Sequence, residues 1–584
     1  MIRKIYSTCP TFKNSGFSNG INLFVADKTN KSTDKQTRNS AGKSTIIDIV
    51  HFIFGADIKD RTFAKNEKIK DTIFHIELEQ NDSIFTVSRD VSKPSKIFFD
   101  KTVDKNLFTN LKLKKDEGTD LFYTSNTEWK KAIGTYYFSI PEIDSTYIPS
   151  FRAILSYFVR LESSGGMGEP SENSSRQNLY DQQINLSFLF GLDWTLSQKL
   201  QISRDKEKTL RELKKTLKDG VLGDFIESSA SLRSKIALLE GKVKEIQSNI
   251  QNFNLLPEYK NYEIELIQLN FSINDKINKN TIDKELLKSI QDSITEASSP
   301  SYESLEKLYQ ETLSVFPLTV KKRFDEVEKF NDSVIRNRKL YLEAELNRLT
   351  SEIDSRNKEI EKLAKKQKEL MNLLKTHGAL EQYTILTESL VKKQSELEDL
   401  KKKQETALDI ENMKPRLEME RAELSMRMNQ NIAENEENIS NAVQRFGNIS
   451  SELFEDAGLL TVENTQNGIK IGVSKQGDRS KGINSMQIYC FDMTMITILK
   501  ERGENIDFLI HDSHLFEAVD SRQVAKALEI GKKLSEQYDF QYIVTMNSDQ
   551  IPYEHLSKDF DVESIIVEPR LTDTDDGCLF GFRF

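Results

Sequence analysis

An α/β protein interrupted by a long antiparallel coiled-coil hairpin is the fold class the sequence predicts, and three observations predict it. Near the amino terminus a strand pattern, a loop ending Gly42-Lys43-Ser44 and a helix pattern follow one another. In the middle of the chain, apolar residues recur at alternating steps of three and four. Beyond about residue 446, strand and helix patterns alternate again. The regions are therefore 1–195, 196–445 and 446–584.

In the first region, Ile21-Asn22-Leu23-Phe24-Val25-Ala26 reads as a buried strand. The segment Thr45 to Phe54 has apolar residues at helical spacing and is stopped by Gly55. Between them, Thr37-Arg38-Asn39-Ser40-Ala41-Gly42-Lys43-Ser44 has the form of a phosphate-binding loop, with Thr37 where the first glycine usually stands. Residues Arg38, Asn39, Ser40, Ala41, Gly42 and Thr45 would surround the bound phosphates, helped by the free N–H groups and partial positive charge of a helix start. Lys43 would reach the outer phosphates, and the Ser44 hydroxyl would bind Mg2+. Further on, Ile73–Leu78 and Ser83–Arg89 flank Asn81-Asp82 and read as a hairpin. The Gly/Ser/Glu-rich stretch 163–175 has the composition of a mobile loop.

Composition bounds the class. Charged residues make up 30% of the 584 and hydrophobic ones 37%, as expected of much solvated helix. The net charge of −10 supplies no global field for nucleic acid, so any DNA contact must be a local patch. The three cysteines, Cys9, Cys490 and Cys578, form no C-x-x-C pair, which fits a reducing cytoplasm. No apolar run approaches a membrane span, so a soluble cytoplasmic protein without membrane contact is expected. Six scattered histidines and no carboxylate cluster of metal-site spacing give no sign of a nuclease within the chain.

Leu232, Ile236, Leu239, Val243, Ile246, Ile250 and Phe253 trace one helical seam. Leu342, Leu346, Leu349, Ile353, Ile360, Leu363, Leu370 and Leu374 trace another, around polar Arg356 and Gln367. These are the a and d positions of a coiled coil. Pro257, Pro300 and Pro317 place the apical turn at about 257–335, and Pro415 is expected to break the returning helix.

In the last region, the apolar run Phe508-Leu509-Ile510-His511 ends in Asp512, the form of a strand that delivers a carboxylate to magnesium. Ser480-Lys481-Gly482 precedes a helix. Two readings stand for it: a loop offering N–H groups to a γ-phosphate, or a polar turn that caps the helix.

A phosphate loop, a coiled-coil hairpin, a Ser-x-Gly loop and an acidic strand end, in that order, resemble the SMC-like ABC ATPases. Asp27-Lys28-Thr29, Phe330-Asn331-Asp332-Ser333-Val334, Gly378-Ala379-Leu380, His511 to Phe516 and Leu579 to Phe584 are similar to a bacterial subgroup. That subgroup comprises the ATPases of ABC three-component systems, including Lamassu-type anti-phage defence. The resemblance implies an α/β ABC-type ATPase head built from both chain ends. It also implies a homodimer in which Lys43 of one head faces Ser480 and Gly482 of the other across ATP. Gln182 or Gln183 would sense magnesium. The family's hydrolytic glutamate falls at Ser513, leaving His514 and Glu517 as substitutes, and its switch histidine is replaced near Asn547. Serine is a poor general base at neutral pH, so slow ATP hydrolysis is expected. Zinc-hook cysteines are absent.

The run Lys199, Arg204, Lys208, Arg211, Lys214, Lys215 and Lys218 is the candidate contact for double-stranded DNA. Its alternative is a solvated helix face paired with nearby acids. The first functional reading is an SMC-like ATPase that senses or clamps DNA and signals to accessory and nuclease-like effector subunits in defence. The alternatives are a repair ATPase regulating a nuclease, and a scaffold holding nucleotide structurally.

Overall fold

A computed structural model of the protein describes residues 1–29, 41–58, 63, 66–80, 83–100, 108, 111–116, 121–218, 227–252, 260–296, 319–374, 380–454, 458–474 and 480–582. The chain divides into two compact units. Residues 1–208 and 417–584 form the head, and residues 209–416 form the arm.

The head contains β1 (Ile2–Ser7), β2 (Ser15–Gly16), β3 (Ile21–Asp27), β4 (Ile73–Gln80), β5 (Ser83–Asp90), β6 (Lys96–Phe99), β7 (Lys114–Lys115) and β8 (Phe122–Ser125). From the carboxy-terminal side come β9 (Leu459–Thr465), β10 (Gly468–Ser474), β11 (Phe508–His511), β12 (Gln541–Asn547) and β13 (Leu571–Thr572). One sheet runs β2-β1-β4-β5-β6-β8-β7 with antiparallel pairings. Along β4, buried and half-buried residues alternate strictly, because its side chains alternate between core and outer face. The expected hairpin is present, with Gln80 paired to Ser83.

The second sheet positions the site. Its order is β11-β12-β3-β13, and all its pairings are parallel. Strands from both chain ends therefore share one sheet, with β3 from the start flanked by β12 and β13 from the end. The first six residues of β3 and of β12 are buried, which is why both read as nearly unbroken apolar runs. The helix α1 (Lys43–Ile53) follows β3, and Ile46, Ile47, Ile49, Val50, Phe52 and Ile53 join the head core.

In the arm, Leu232, Ile236, Leu239 and Val243 of the helix Ser229–Gln251 are buried, as the first seam requires. The region 257–335, expected to hold the apical turn, also contains the 37-residue helix Lys260–Glu296. No glycine or proline lies between 260 and 296, so nothing stops that helix; Pro257 and Pro300 flank it. It packs antiparallel to the helix Thr319–Leu374, with Asn280 Nδ2 donating to Asn357 Oδ1 at 2.9 Å and Gln367 Nε2 donating to Asn270 Oδ1. Asn278 also bonds Ser395 of the helix Leu380–Glu434, so three helices meet at this level. The polar interruptions of the second seam, Arg356 and Gln367, thus have partners on a helix the heptad pattern did not disclose.

Pro415 does not break the returning helix, which runs from Leu380 to Glu434 with the proline inside it. A proline removes one backbone hydrogen bond, and a long helix tolerates that loss as a local bend.

Candidate nucleotide site

The end of the loop and the start of α1 are fixed by the carboxy-terminal segment. Leu579 N–H donates to the Ala41 carbonyl at 2.9 Å. Gly42 adopts φ 99°, a left-handed conformation natural to glycine, and a Cβ there would press on Leu579. Arg38, Asn39 and Ser40 lie outside the described residues. Thr45 N–H bonds back to the Gly42 carbonyl at 3.1 Å, closing the first turn.

From this start, Lys43 is buried and donates from Nζ to Asn547 Oδ1 at 2.7 Å. The Ser44 hydroxyl is one of the groups that hold the Asp512 pKa down. The loop near the amino terminus and the acidic strand end near the carboxy terminus therefore meet. The strands carrying them are not neighbours: β12 lies between β3 and β11. That middle strand supplies Thr545, whose hydroxyl donates to Asp512 Oδ1 at 2.9 Å and accepts from Ser513 N–H at 3.0 Å. The Ser513 hydroxyl adds a bond to the same carboxylate oxygen at 3.1 Å. Burial raises the Asp512 pKa, but the influence of His514, Ser44 and Thr545 outweighs it and holds the carboxyl below its ordinary value. A buried carboxylate kept ionised beside a hydroxyl is a hard oxygen donor set, which fits Mg2+ completed by phosphate and water oxygens.

His514 Nδ1 lies 3.3 Å from Asp512 Oδ2, and its Nε2 lies 3.8 Å from Glu517 Oε1. The Asp512 carboxylate raises the His514 pKa, with burial opposing. Glu517 also faces Lys481 Nζ at 3.6 Å. Both substitutes for the hydrolytic glutamate thus stand within one cluster with Asp512. Ser480 caps the helix Lys481–Glu501, accepting from Ile483 N–H at 3.3 Å, as the capping reading expects. Gly482 is buried, and a Cβ there would collide with the Ala518 carbonyl oxygen.

Other candidates are engaged elsewhere. Gln182 Nε2 donates to the Ser171 carbonyl at 2.9 Å, and Gln183 Nε2 donates to the Asn467 carbonyl. Arg204 of the basic run donates to the same Asn467 carbonyl at 2.6 Å, and burial lowers its pKa. Lys199, Lys208, Arg211 and Lys215 are exposed; the side chains of Lys214 and Lys218 lie outside the described residues. Asn547 does stand beside the site, as the partner of Lys43.

Four residues behind the site form a network that the sequence reading did not anticipate. Arg160, fully buried, donates from Nε and NH2 to the two oxygens of Asp492 at 2.6 and 2.7 Å. His511 Nε2 lies 3.1 Å from Asp492 Oδ2, and its Nδ1 lies 3.0 Å from Tyr542 Oη. Burial lowers the His511 pKa and keeps it neutral, so Nε2–H donates to Asp492 while Nδ1 accepts from the tyrosine. Arg160 also donates to the carbonyls of Gly166, Glu172 and Pro170 at 2.6, 2.6 and 2.7 Å. The stretch expected to be mobile is therefore bonded to the core by one guanidinium. The available signal was a lone charge within an apolar run, in Phe158-Val159-Arg160-Leu161 and in Phe491-Asp492-Met493.

Among the described residues no group of three His, Cys, Asp or Glu could hold a metal, and no helix is long and apolar enough to cross a membrane. Residues 449–584 match a family described as an uncharacterised protein conserved in bacteria, DUF2326. The uncharacterized protein YydD of Bacillus subtilis (strain 168) is 21% identical over 599 residues, covering 97% of this chain and 96% of that one. Solved structures with some similarity include an Smc head domain with a coiled coil and joint from Pyrococcus yayanosii, at 14% identity and TM-score 0.34, covering 94% of this chain and 92% of that one. An Smc head domain with an extended coiled coil, bound to the C-terminal domain of ScpA, from Pyrococcus furiosus has 12% identity, TM-score 0.35 and coverages of 94% and 90%. Residues 284–407 match the family described as C-terminal domain 10 of the ABC-three component (ABC-3C) systems. The chain thus combines a head built from both of its ends with an arm segment similar to C-terminal domain 10 of the ABC-three component systems and a carboxy-terminal segment similar to the DUF2326 family.

Proposed function

We propose that the head binds ATP with Mg2+ at the junction of Lys43, Ser44 and Asp512, and that two heads close around two ATP molecules. The observation that carries this reading is the pairing of β3 with β12 and of β12 with β11, which brings Lys43, through its hydrogen bond to Asn547, and Asp512, through its hydrogen bond with Thr545, to one end of the same parallel sheet. Lys43 would move its ammonium from Asn547 to the outer phosphates, and the α1 start would offer its free N–H groups. When bound, Mg2+ would withdraw charge from the β- and γ-phosphate oxygens. Thr545 and Ser513 keep Asp512 oriented toward Ser44. Across the dimer, Ser480 and Gly482 would present their helix start to the partner's nucleotide.

With serine following Asp512, hydrolysis would be slow, and ATP would hold the dimer closed for long periods. The closed heads would sense or clamp double-stranded DNA and act on accessory and nuclease-like effector subunits in bacterial anti-phage or anti-plasmid defence. The ABC-three component match supports the multisubunit setting. The test is ATP binding, ATP-dependent dimerisation and DNA affinity for the wild type and Lys43→Ala. All three should require Lys43, and DNA affinity should fall steeply with salt. Dimerisation indifferent to ATP and to Lys43 would favour a structural scaffold.

A further inference from the structure

A cavity of about 910 Å³ opens in the head among residues of three helices, Glu436–Leu453, Lys481–Glu501 and Ser521–Gln537. Its size lies within the roughly 300–1,000 Å³ usual for ligand sites. Leu453, Phe454, Ile483 and Gln487 line it, with Arg522 and Lys526 of the third helix. Ile483 and Gln487 stand four residues apart, so they share one face of their helix.

Gln487 is only 4% exposed, yet its carboxamide is unpaired. Its Oε1 is buried without a donor, and among the described residues no group accepts from its Nε2. Buried amides are almost always hydrogen-bonded, because leaving one unpaired costs stability. The polar neighbours are committed to one another instead. Gln523 Nε2 donates to the Leu453 carbonyl at 3.3 Å, and Arg522 Nε donates to Asp520 Oδ1 at 3.0 Å. Lys526 Nζ lies 3.7 Å from Glu529 Oε2, and Lys533 Nζ lies 3.2 Å from Glu452 Oε1. Gly458 also lines the cavity, and a Cβ there would stand 3.6 Å from Gln487 Nε2. The missing side chain leaves room beside the amide.

These pairings decide the chemistry of the occupant. Both lining cations already have a carboxylate of this chain beside them, so neither is uncommitted for a phosphate or an acidic group. What remains unmet is a carboxamide, with one acceptor and two donors, next to apolar Leu453, Phe454 and Ile483. A peptide unit offers one N–H and one carbonyl, and an adjacent apolar side chain suits the rest of the lining.

We propose that this cavity binds a peptide segment of a partner polypeptide, uncharged where it enters, through hydrogen bonds between one of its peptide units and the Gln487 carboxamide. The site uses neither Lys43 nor Asp512, so it stands apart from the ATP reading.

The experiment uses the full chain as wild type, Gln487→Leu, and a double variant carrying Arg522→Ala and Lys526→Ala. Urea unfolding of the free chain comes first. Gln487→Leu should raise the midpoint, since an apolar group of similar size replaces an unpaired amide. A lowered or unchanged midpoint would show that the amide costs the free chain nothing, and would overturn the proposal. Random peptides displayed on phage are then selected against the wild type, and synthetic copies are titrated in solution at low and high salt. The selected peptides should share an uncharged apolar centre. They should bind Gln487→Leu about 10-fold more weakly, the worth of one hydrogen bond, and bind the double variant as the wild type. Failure to select any peptide, or selection of peptides indifferent to Gln487→Leu, would overturn the site. Acidic peptides whose binding vanishes at high salt and in the double variant would overturn the uncharged chemistry.

Discussion

In the head one fully buried network is built around an ion pair, whereas in the arm the polar contacts along the seam pair amides and partly exposed charges. Arg160 and Asp492 are fully buried and share two hydrogen bonds, with His511 and Tyr542 completing the set. The arm instead pairs Asn280 with Asn357 and Asn270 with Gln367, and its main cation, Arg356, bonds Asp283 and Glu352 at a partly exposed position. The difference follows from what each must hold. The head network fixes a loop, a helix and the strand that ends in Asp512 at a single point. The arm layers need only set which residues of two helices lie side by side, a use in which polar core residues fix register at some cost in stability.

Removing one member of the head pair should give the largest effect. Arg160→Met leaves Asp492 buried without its counter-charge and releases three loop carbonyls, so stability should fall by about 3–5 kcal/mol. Urea unfolding followed by tryptophan fluorescence measures it, since both tryptophans, Trp129 and Trp194, lie in the head. A loss below about 1 kcal/mol, the scale of an exposed pair, would remove the contrast with the arm. Next, Gly482→Ala should cost about 1–3 kcal/mol through collision with the Ala518 backbone, read in the same assay. An unchanged midpoint would show that the helix start yields freely.

The arm should respond in register rather than stability. Asn280 is buried and also accepts from Arg356, whereas Asn357 is exposed, so replacing both asparagines by leucine should cost about 1 kcal/mol or less. Disulfide trapping between Lys276→Cys and Glu359→Cys should then lose selectivity over cysteines placed one heptad away. Selectivity equal to the parent's would locate register in the apolar seam alone. The smallest effect concerns titration. Asp512 sits below its ordinary pKa, so the stabilisation it contributes is present above that value and lost as pH falls through the native one. His514 sits above its ordinary pKa, so its contribution is present at lower pH and lost as pH rises through the native value. In an NMR titration, Asp512→Asn should lower the His514 midpoint, and an unmoved midpoint would deny the coupling.

How much of this was legible in the sequence divides along the same line. Runs buried on both faces, such as Ile21 to Ala26 and Phe508 to His511, declare themselves as strands because every side chain is apolar or nearly so. The phosphate loop and Asp512 followed from such strands ending in chemistry-bearing residues. What could not be read was adjacency. Nothing in the sequence orders β12 between β3 and β11, so Thr545 and its bond to Asp512 were invisible. The helix Lys260–Glu296 was missed because its seam is broken by Asn270 and Asn280, whose partners lie on another helix. Composition also misled at 163–175, where small polar residues lie against a buried arginine rather than moving freely.

The account depends most on both chain ends building one triphosphate and magnesium site. Calorimetric titration of ATP, with and without Mg2+, into the wild type, Lys43→Ala and Asp512→Asn tests it directly. The account predicts that the wild type binds ATP more tightly with Mg2+, that Lys43→Ala loses binding in both conditions, and that Asp512→Asn binds ATP but loses the magnesium enhancement. An Asp512→Asn protein whose affinity still rises with Mg2+ as in the wild type would contradict it.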